Sequence, residues 1–259
     1  LHRTGKGIAP LARAGVGGSA VPRAMIDELA RHGCTVLQLW GMTETSPLGT
    51  IATPTPGLAA LAEADRADVL AQQGRVRWGL DVRIVGEDGR DAPRDGRTQG
   101  ALWVRGPWVA RRYYGADADM LDDEGWFPTG DVATLDAHGY LRITDRTKDV
   151  IKSGGEWISS LEIENLACDV PGVRQAAVIA AYHPKWEERP LLIIVADKEC
   201  PPTRQDVLDH LQPRIAKWWM PDDVVTVEAL PMTATGKVSK LTLRERFRDH
   251  LVKAAESPP

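Results

Sequence analysis

Hydrophobic and polar positions fall into three textures along this chain of 259 residues. In the first texture, helix and strand signals alternate. Met25, Ile26, Leu29 and Ala30 share one face at helical spacing, Pro22 suits a first turn, and Gly33 suits an end. The pattern predicts a helix over 22–32 and then a short buried strand over Thr35–Trp40. Residues 60–73 read as a second helix, with Leu61, Ala64 and Asp68 mixed less cleanly over its faces.

From 76 to 145 the period shortens. Short apolar or alternating runs at 82–85, 101–104, 132–135 and 140–143 sit between turn signals such as 87–90 and 136–139. This spacing predicts a β-rich subdomain with a barrel-like arrangement.

After 149 helical spacing returns, interleaved with apolar strands. Ser159 and Glu162 fit a capping box ahead of the stripe Ile163, Leu166, Ala167 and Val170. Runs at 176–181 and 191–195 read as strands. Thr203 with Asp206 opens another helix, which Pro213 ends or kinks. Thr242 with Glu245 caps a last helix that buries Leu243, Phe247 and Leu251. The fold class predicted is α/β and α+β, in more than one domain, with the boundary at 145–149.

Composition narrows the function classes. A net charge of -4 argues against a general nucleic-acid surface. No apolar run approaches the ~20 residues of a membrane span. Cys34, Cys168 and Cys200 are far apart and form no CxxC, which argues against a disulfide framework and fits a reducing cytoplasm. The six histidines show no metal-ligand spacing. The chain opens at Leu1 rather than Met, and no signal peptide is visible.

Five short motifs carry candidate chemistry. Gly17, Gly18 and Ser19 form a small-residue loop. Trp40, Gly41, Met42, Thr43 and Glu44 follow the predicted strand; an aromatic there can stack on a base, a hydroxyl can reach a phosphate, and a carboxylate suits Mg²⁺. Thr129, Gly130 and Asp131 end in an acid that can bridge two ribose hydroxyls. Residues 145–155 combine Arg146, Lys148 and Lys152 with Gly154 and Gly155, and glycines let backbone approach a ligand closely. Thr235, Gly236 and Lys237 close the series near the last helix. Each has a plain alternative when taken alone: a polar strand-end loop, a turn aspartate, a charged linker, a solvated lysine.

In this order and at these intervals the motifs resemble the adenylate-forming superfamily of acyl-CoA synthetases, luciferases and peptide-synthetase adenylation domains. The resemblance covers nearly the whole chain and implies its fold. Residues 1–145 would be the C-terminal part of the large AMP-binding domain, with the β-rich subdomain from about 76 to 145. Residues 146–149 would be a hinge and 150–259 a small α+β C-terminal domain. It also implies roles. Gly18 and Ser19 border adenine and the acyl pocket. Trp40, where relatives commonly have Tyr, stacks on adenine beside Gly41, Thr43 reaches a phosphate, and Glu44 holds Mg²⁺. Asp131 binds the ribose and Arg146 adds a ribose or phosphate contact. Lys148 is the pivot of domain rotation. Lys237 bridges carboxylate and phosphate during adenylation. Lys152, with Gly154 and Gly155, faces the site during thioester formation.

The implied activity is ATP-dependent conversion of a carboxylic acid to acyl-AMP, followed by transfer to coenzyme A. The wording from Lys152 to Ser159, and from His183 to Pro190, resembles the medium- and long-chain fatty acyl-CoA branch, although aryl-acid and methylthio-acid ligases share much of it. Relatives carry a Ser/Thr/Gly-rich phosphate loop upstream that these residues lack, so the resemblance implies a partial enzyme. A nucleotide- or CoA-binding remnant without catalysis stays open. So does a plain interaction domain. The composition thus predicts cytoplasmic placement, no nucleic-acid partner and no transmembrane segment, and a homodimer is one expected state of the complete enzyme.

Overall fold

A computed structural model describes residues 11–18, 21, 23–233 and 236–252. The chain divides into two compact units, Leu1–Ile143 and Thr144–Pro259.

In the first unit, β1 (Arg13–Val16) and β2 (Thr35–Trp40) pair in parallel around the connecting helix α1 (Arg23–Arg31). Pro22, predicted for the first turn, lies outside the described residues. Gly33 ends the turn after α1 at φ 77°, as a helix-terminating glycine does. The short strands β3 (Thr50–Ile51) and β4 (Arg75–Val76) extend this sheet in antiparallel fashion, with α2 (Glu63–Leu70) between them in sequence.

A second sheet orders β5 (Asp81–Val85), β6 (Gly100–Arg105), β7 (Phe127–Leu135) and β8 (Leu141–Arg146) side by side, the last three residues of β8 belonging to the second unit. Its core includes Leu80, Ile84, Leu102, Val104 and Phe127, and Trp40 packs into the same cluster. The barrel-like arrangement expected from the sequence is a sheet that stays open. β5 and β8 are its outer strands, and four strands are too few to curl shut around a packed interior.

The second unit is a five-stranded sheet between helices. β11 (Val173–His183) and β12 (Glu187–Ala196) form a long hairpin, with β12 the central strand and β11 an outer one. β9 (Ile151–Ser153) joins one end of β12 and pairs with β10 (Glu156–Ile158), while β13 (Asp223–Thr226) runs parallel to β12. Alternation sorts the side chains onto two faces. Val178, Leu192 and Ile194 pack with α3 (Ser160–Cys168) and α4 (Arg204–Leu211). Ala177, Ile179, Leu191 and Ile193 pack on the other face, with Leu243 of α5 (Lys240–Phe247).

The caps follow the sequence in two helices and depart in the third. Ser159 accepts from the backbone N–H of Glu162, and Thr203 with Asp206 completes a reciprocal box. α4 stops before Pro213. The last helix begins earlier than Thr242 predicts: Ser239 is its cap and accepts from the Thr242 N–H. Ser239 is fixed there because its own N–H donates to the Pro231 carbonyl at 2.7 Å.

Candidate active site

In the first unit a strand irregularity sets the position of Asp131. Ala101 pairs with Val132 and Trp103 with Pro128, so two steps along β6 match four along β7. Thr129, Gly130 and Asp131 thus face the single residue Leu102, a surplus of two. Gly130 takes φ 75°, a left-handed conformation natural to glycine. The Thr129 hydroxyl locks the bulge, donating to the Leu102 carbonyl at 2.8 Å and accepting from the Asp131 N–H at 3.1 Å. The Asp131 carboxylate, 3% exposed, then accepts the indole N–H of Trp40 at 2.8 Å across 91 residues of sequence.

Trp40 is itself 8% exposed. Gly49 lies flat against its ring, where an added Cβ would come within 2.4 Å. The indole is thus a buried support that presents its N–H to the acid. Its chain neighbours leave the carboxyl end of β2, next to the carboxyl end of the parallel strand β1. That edge is where open α/β sheets bind ligands. Gly17 and Gly18 leave β1 there and both are exposed, Gly18 at φ 87°. Ser19 lies outside the described residues.

The loop after β2 is packed tightly. An added Cβ on Gly41 would sit 1.9 Å from the Pro47 carbonyl oxygen, so only glycine fits. Thr43, exposed, opens a short helical turn that carries Glu44. The Glu44 carbonyl accepts from the Ala110 N–H at 2.8 Å, and the Ser46 hydroxyl donates to the Trp108 carbonyl at 2.9 Å. The Glu44 carboxylate accepts the hydroxyl of Tyr113, and that bond, with some burial, pushes the Tyr113 hydroxyl above its ordinary value. Among the described residues, no three His, Cys, Asp or Glu side chains are grouped to hold a metal ion.

The second unit carries the remaining candidates. The Lys152 backbone N–H on β9 donates to Glu188 at 2.8 Å, and its ammonium lies 5.2 Å above the Trp157 ring. Gly154 and Gly155 follow at φ 58° and 87°, and both are exposed. The Trp186 ring lies against Gly154, where an added Cβ would meet it at 2.9 Å; Gly155 faces open space. Lys237 is exposed on a tight hairpin. Its carbonyl accepts from the Thr233 N–H at 2.7 Å, and Met232 pairs with Val238. Ala234 and Thr235 of that hairpin lie outside the described residues. Arg146 and Lys148 are exposed, between the buried Asp145 and Asp149.

Sequence reasoning missed several partners: Tyr113 for Glu44, Glu188 for Lys152, and a buried group around Asp145. There Asp145 Oδ2 accepts from the Ser160 N–H at 2.6 Å and its hydroxyl at 2.7 Å. The Lys240 ammonium donates to the same hydroxyl at 2.6 Å and pairs with Glu164 at 2.7 Å. Burial pushes the Asp145 and Glu164 carboxyls upward, and the Lys240 charge pulls both back. The available signal was a lysine three residues after Lys237, at the start of a helix, with acids in α3 and before β9.

The fold matches that of adenylate-forming enzyme structures. The model of the AMP-binding enzyme family matches residues 3–114, and the AMP-binding enzyme C-terminal domain model matches residues 162–237, so the chain carries sequence of both kinds of domain. Over 248 residues the chain is 49% identical to 3-methylmercaptopropionyl-CoA ligase of Ruegeria pomeroyi, covering 95% of this chain and 46% of that protein. It is 44% identical over 248 residues to medium-chain-fatty-acid–CoA ligase of Ectopseudomonas oleovorans, covering 95% and 45%. The crystal structure of ATP-bound MatB from Rhodopseudomonas palustris matches with a TM-score of 0.73 at 30% identity, covering 93% of this chain and 46% of that one. The chain thus spans about half the length of the relatives it matches. Among the described residues, no helix is long and apolar enough to cross a membrane.

Proposed function

We propose that this chain supplies the second part of an AMP-forming acid–thiol ligase. Such an enzyme joins a carboxylic acid to the α-phosphate of ATP and then passes the acyl group to coenzyme A. The single observation that carries the reading is the Trp40–Asp131 bond. It joins two motifs 91 residues apart beside the carboxyl end of the parallel strand pair β1–β2, the kind of edge where open α/β sheets bind ligands.

The residues present suit these groups. Asp131 is an oxygen acceptor presented on a glycine bulge, suited to a pair of ribose hydroxyls. Gly18 and Gly41 line the strand ends where backbone can approach a base or phosphate. Glu44 is a hard oxygen ligand for Mg²⁺, which commonly takes one or two carboxylates and completes its shell with phosphate oxygens and water. ATP supplies the adenylyl group that turns the carboxyl into a good acyl donor. Lys237, exposed on its hairpin, brings a mobile positive charge to the oxygens of carboxylate and phosphate. Lys152, Gly154 and Gly155 form the second face, where two left-handed glycines leave room for the thiol-bearing arm of CoA. Arg146 contributes a further ribose or phosphate contact, and Lys148 serves as the pivot between the two faces.

For the acid we favour an aliphatic chain, of the medium- or long-chain fatty type or a short methylthio acid. The two relatives given above are named for a methylthio acid and a medium-chain fatty acid, which supports this class over aryl acids. Pyrophosphate exchange by the full-length protein tests the reading, using acids from acetate to palmitate together with methylthiopropionate and benzoate. If the pocket is apolar, each buried methylene improves kcat/KM by a factor corresponding to roughly 0.8 kcal/mol until the pocket ends. A peak at benzoate rejects the aliphatic assignment. No exchange with any acid rejects the ligase.

A further inference from the structure

Lys237 is three residues from a helix that is tied to the proposed pivot at two points. α5 begins at Lys240, and its next turn carries Arg244 on the same side. Lys240 is 15% exposed and bonds Ser160, whose N–H and hydroxyl both hold Asp145. Arg244 reaches the other end of the same segment. One guanidinium nitrogen donates to the Lys148 carbonyl at 2.8 Å, and another pairs with the Asp149 carboxylate at 2.7 Å. The bonds span 95 and 96 residues of sequence, so they are tertiary ties and not local turn contacts.

The connection from α5 back to Lys237 is equally direct. The Ser239 N–H donates to the Pro231 carbonyl, and the Thr233 N–H to the Lys237 carbonyl, both at 2.7 Å. The hairpin is therefore closed on itself and joined to the start of α5. Both ends of the segment 145–149 are bound to groups of the second unit. The Arg244 ties survive a swivel that uses backbone torsions between Asp145 and the Lys148 carbonyl, and everything after that carbonyl turns with α5, whereas the Ser160–Asp145 contact holds in one orientation only.

We propose that Lys240 and Arg244 are positioning residues: they clamp α5 to the segment 145–149, so that the Lys237 hairpin turns as one body with the pivot. The inference rests on the proposed roles of Lys237 and Lys148. A swivel delivers Lys237 accurately only if no slack lies between them. Arg suits the outer tie, because its planar fork serves a carbonyl and a carboxylate at once. Lys suits the inner tie, a compact charge shared by Glu164 and the Ser160–Asp145 pair.

The test uses Arg244→Gln, because Lys240→Met leaves two buried carboxylates unpaired and can unfold the unit. Hydrogen exchange on the 259-residue chain reads the clamp through two amides at opposite ends of it. These are Val150, which donates to the Arg146 carbonyl, and Ser239, which donates to the Pro231 carbonyl. Both are expected to exchange about tenfold faster in the variant while the β11–β12 amides keep their protection. In the full-length protein, kcat for pyrophosphate exchange is expected to fall about tenfold with little change in KM for ATP, and Arg244→Lys to recover part of it. Unchanged exchange at either amide overturns the clamp. Faster amide exchange with unchanged kcat overturns the positioning role. If the unmodified full-length protein exchanges no pyrophosphate at all, the ligase reading fails, whereas the amide measurement still decides whether the clamp exists.

Discussion

The indole N–H of Trp40 and the carboxylate of Asp131 meet at 2.8 Å inside the first unit, both nearly closed to solvent. A buried carboxylate without its donors is costly, so this bond both fixes the bulge of β7 and ties it to the loop that bears Glu44. Trp40→Phe keeps an aromatic ring and deletes only the donor. The expected loss of stability is about 1–3 kcal/mol, from the penalty of an unmade bond to a buried acceptor. Urea unfolding of the chain measures it. Trp40→Ala adds a cavity and should cost more, about 3–5 kcal/mol. A Phe variant as stable as the parent would show that Asp131 does not need the indole.

Tyr113 and Glu44 give a titration prediction. The hydrogen bond to Glu44 is the larger cause that raises the Tyr113 hydroxyl above its ordinary value. Glu44→Gln removes the charge that favours the protonated phenol, so the Tyr113 transition should move down toward the ordinary tyrosine range. The difference between ultraviolet titrations with and without Tyr113→Phe isolates this group among the four tyrosines. An identical transition in the parent and in Glu44→Gln contradicts the bond.

The buried acids of the second unit predict a pH dependence with a definite sign. Burial raises Asp145 and Glu164, and Lys240 opposes it. In Lys240→Met that opposition is lost and both carboxyls rise further. An acid whose folded pKa lies above its unfolded value binds protons preferentially in the folded chain. Its stabilising contribution is complete below the unfolded carboxyl range and is lost as pH climbs through the raised value. Lys240→Met should thus be destabilised by about 3–5 kcal/mol near neutrality and regain part of that as pH falls toward the ordinary carboxyl range. Thermal melts at a series of pH values check it. A deficit that is constant with pH, or grows on acidification, contradicts the assignment.

Much of this arrangement was legible in the sequence, and the remainder failed for identifiable reasons. The strand Thr35–Trp40 and the Thr203–Asp206 capping box are local patterns, and the structure contains both. Barrel closure is a non-local property: it depends on whether the outer strands β5 and β8 find each other, which alternation does not encode. Thr242 and Glu245 mimic a cap, but Ser239 lies three residues earlier and is fixed by Pro231. Motif order pointed to Trp40 and Asp131 separately. Their bond needs the β7 bulge, and its only local sign is Gly130 between Thr129 and Asp131. Tyr113, Lys240 and Arg244 carry no motif of their own, and their partners lie 69 to 96 residues away.

The most direct test of the account separates the two lysines by half-reaction in the full-length protein. Lys237→Ala should lower acyl-adenylate formation, measured by pyrophosphate exchange, by the few kcal/mol of a transition-state charge contact, or about 10²–10³ in rate. It should leave thioester formation from a supplied acyl-adenylate nearly intact. Lys152→Ala should show the opposite bias, because the pivot proposed at Lys148 would present one face of the second unit at a time. Opposite biases are the predicted result; equal losses in both half-reactions for both variants would contradict the account.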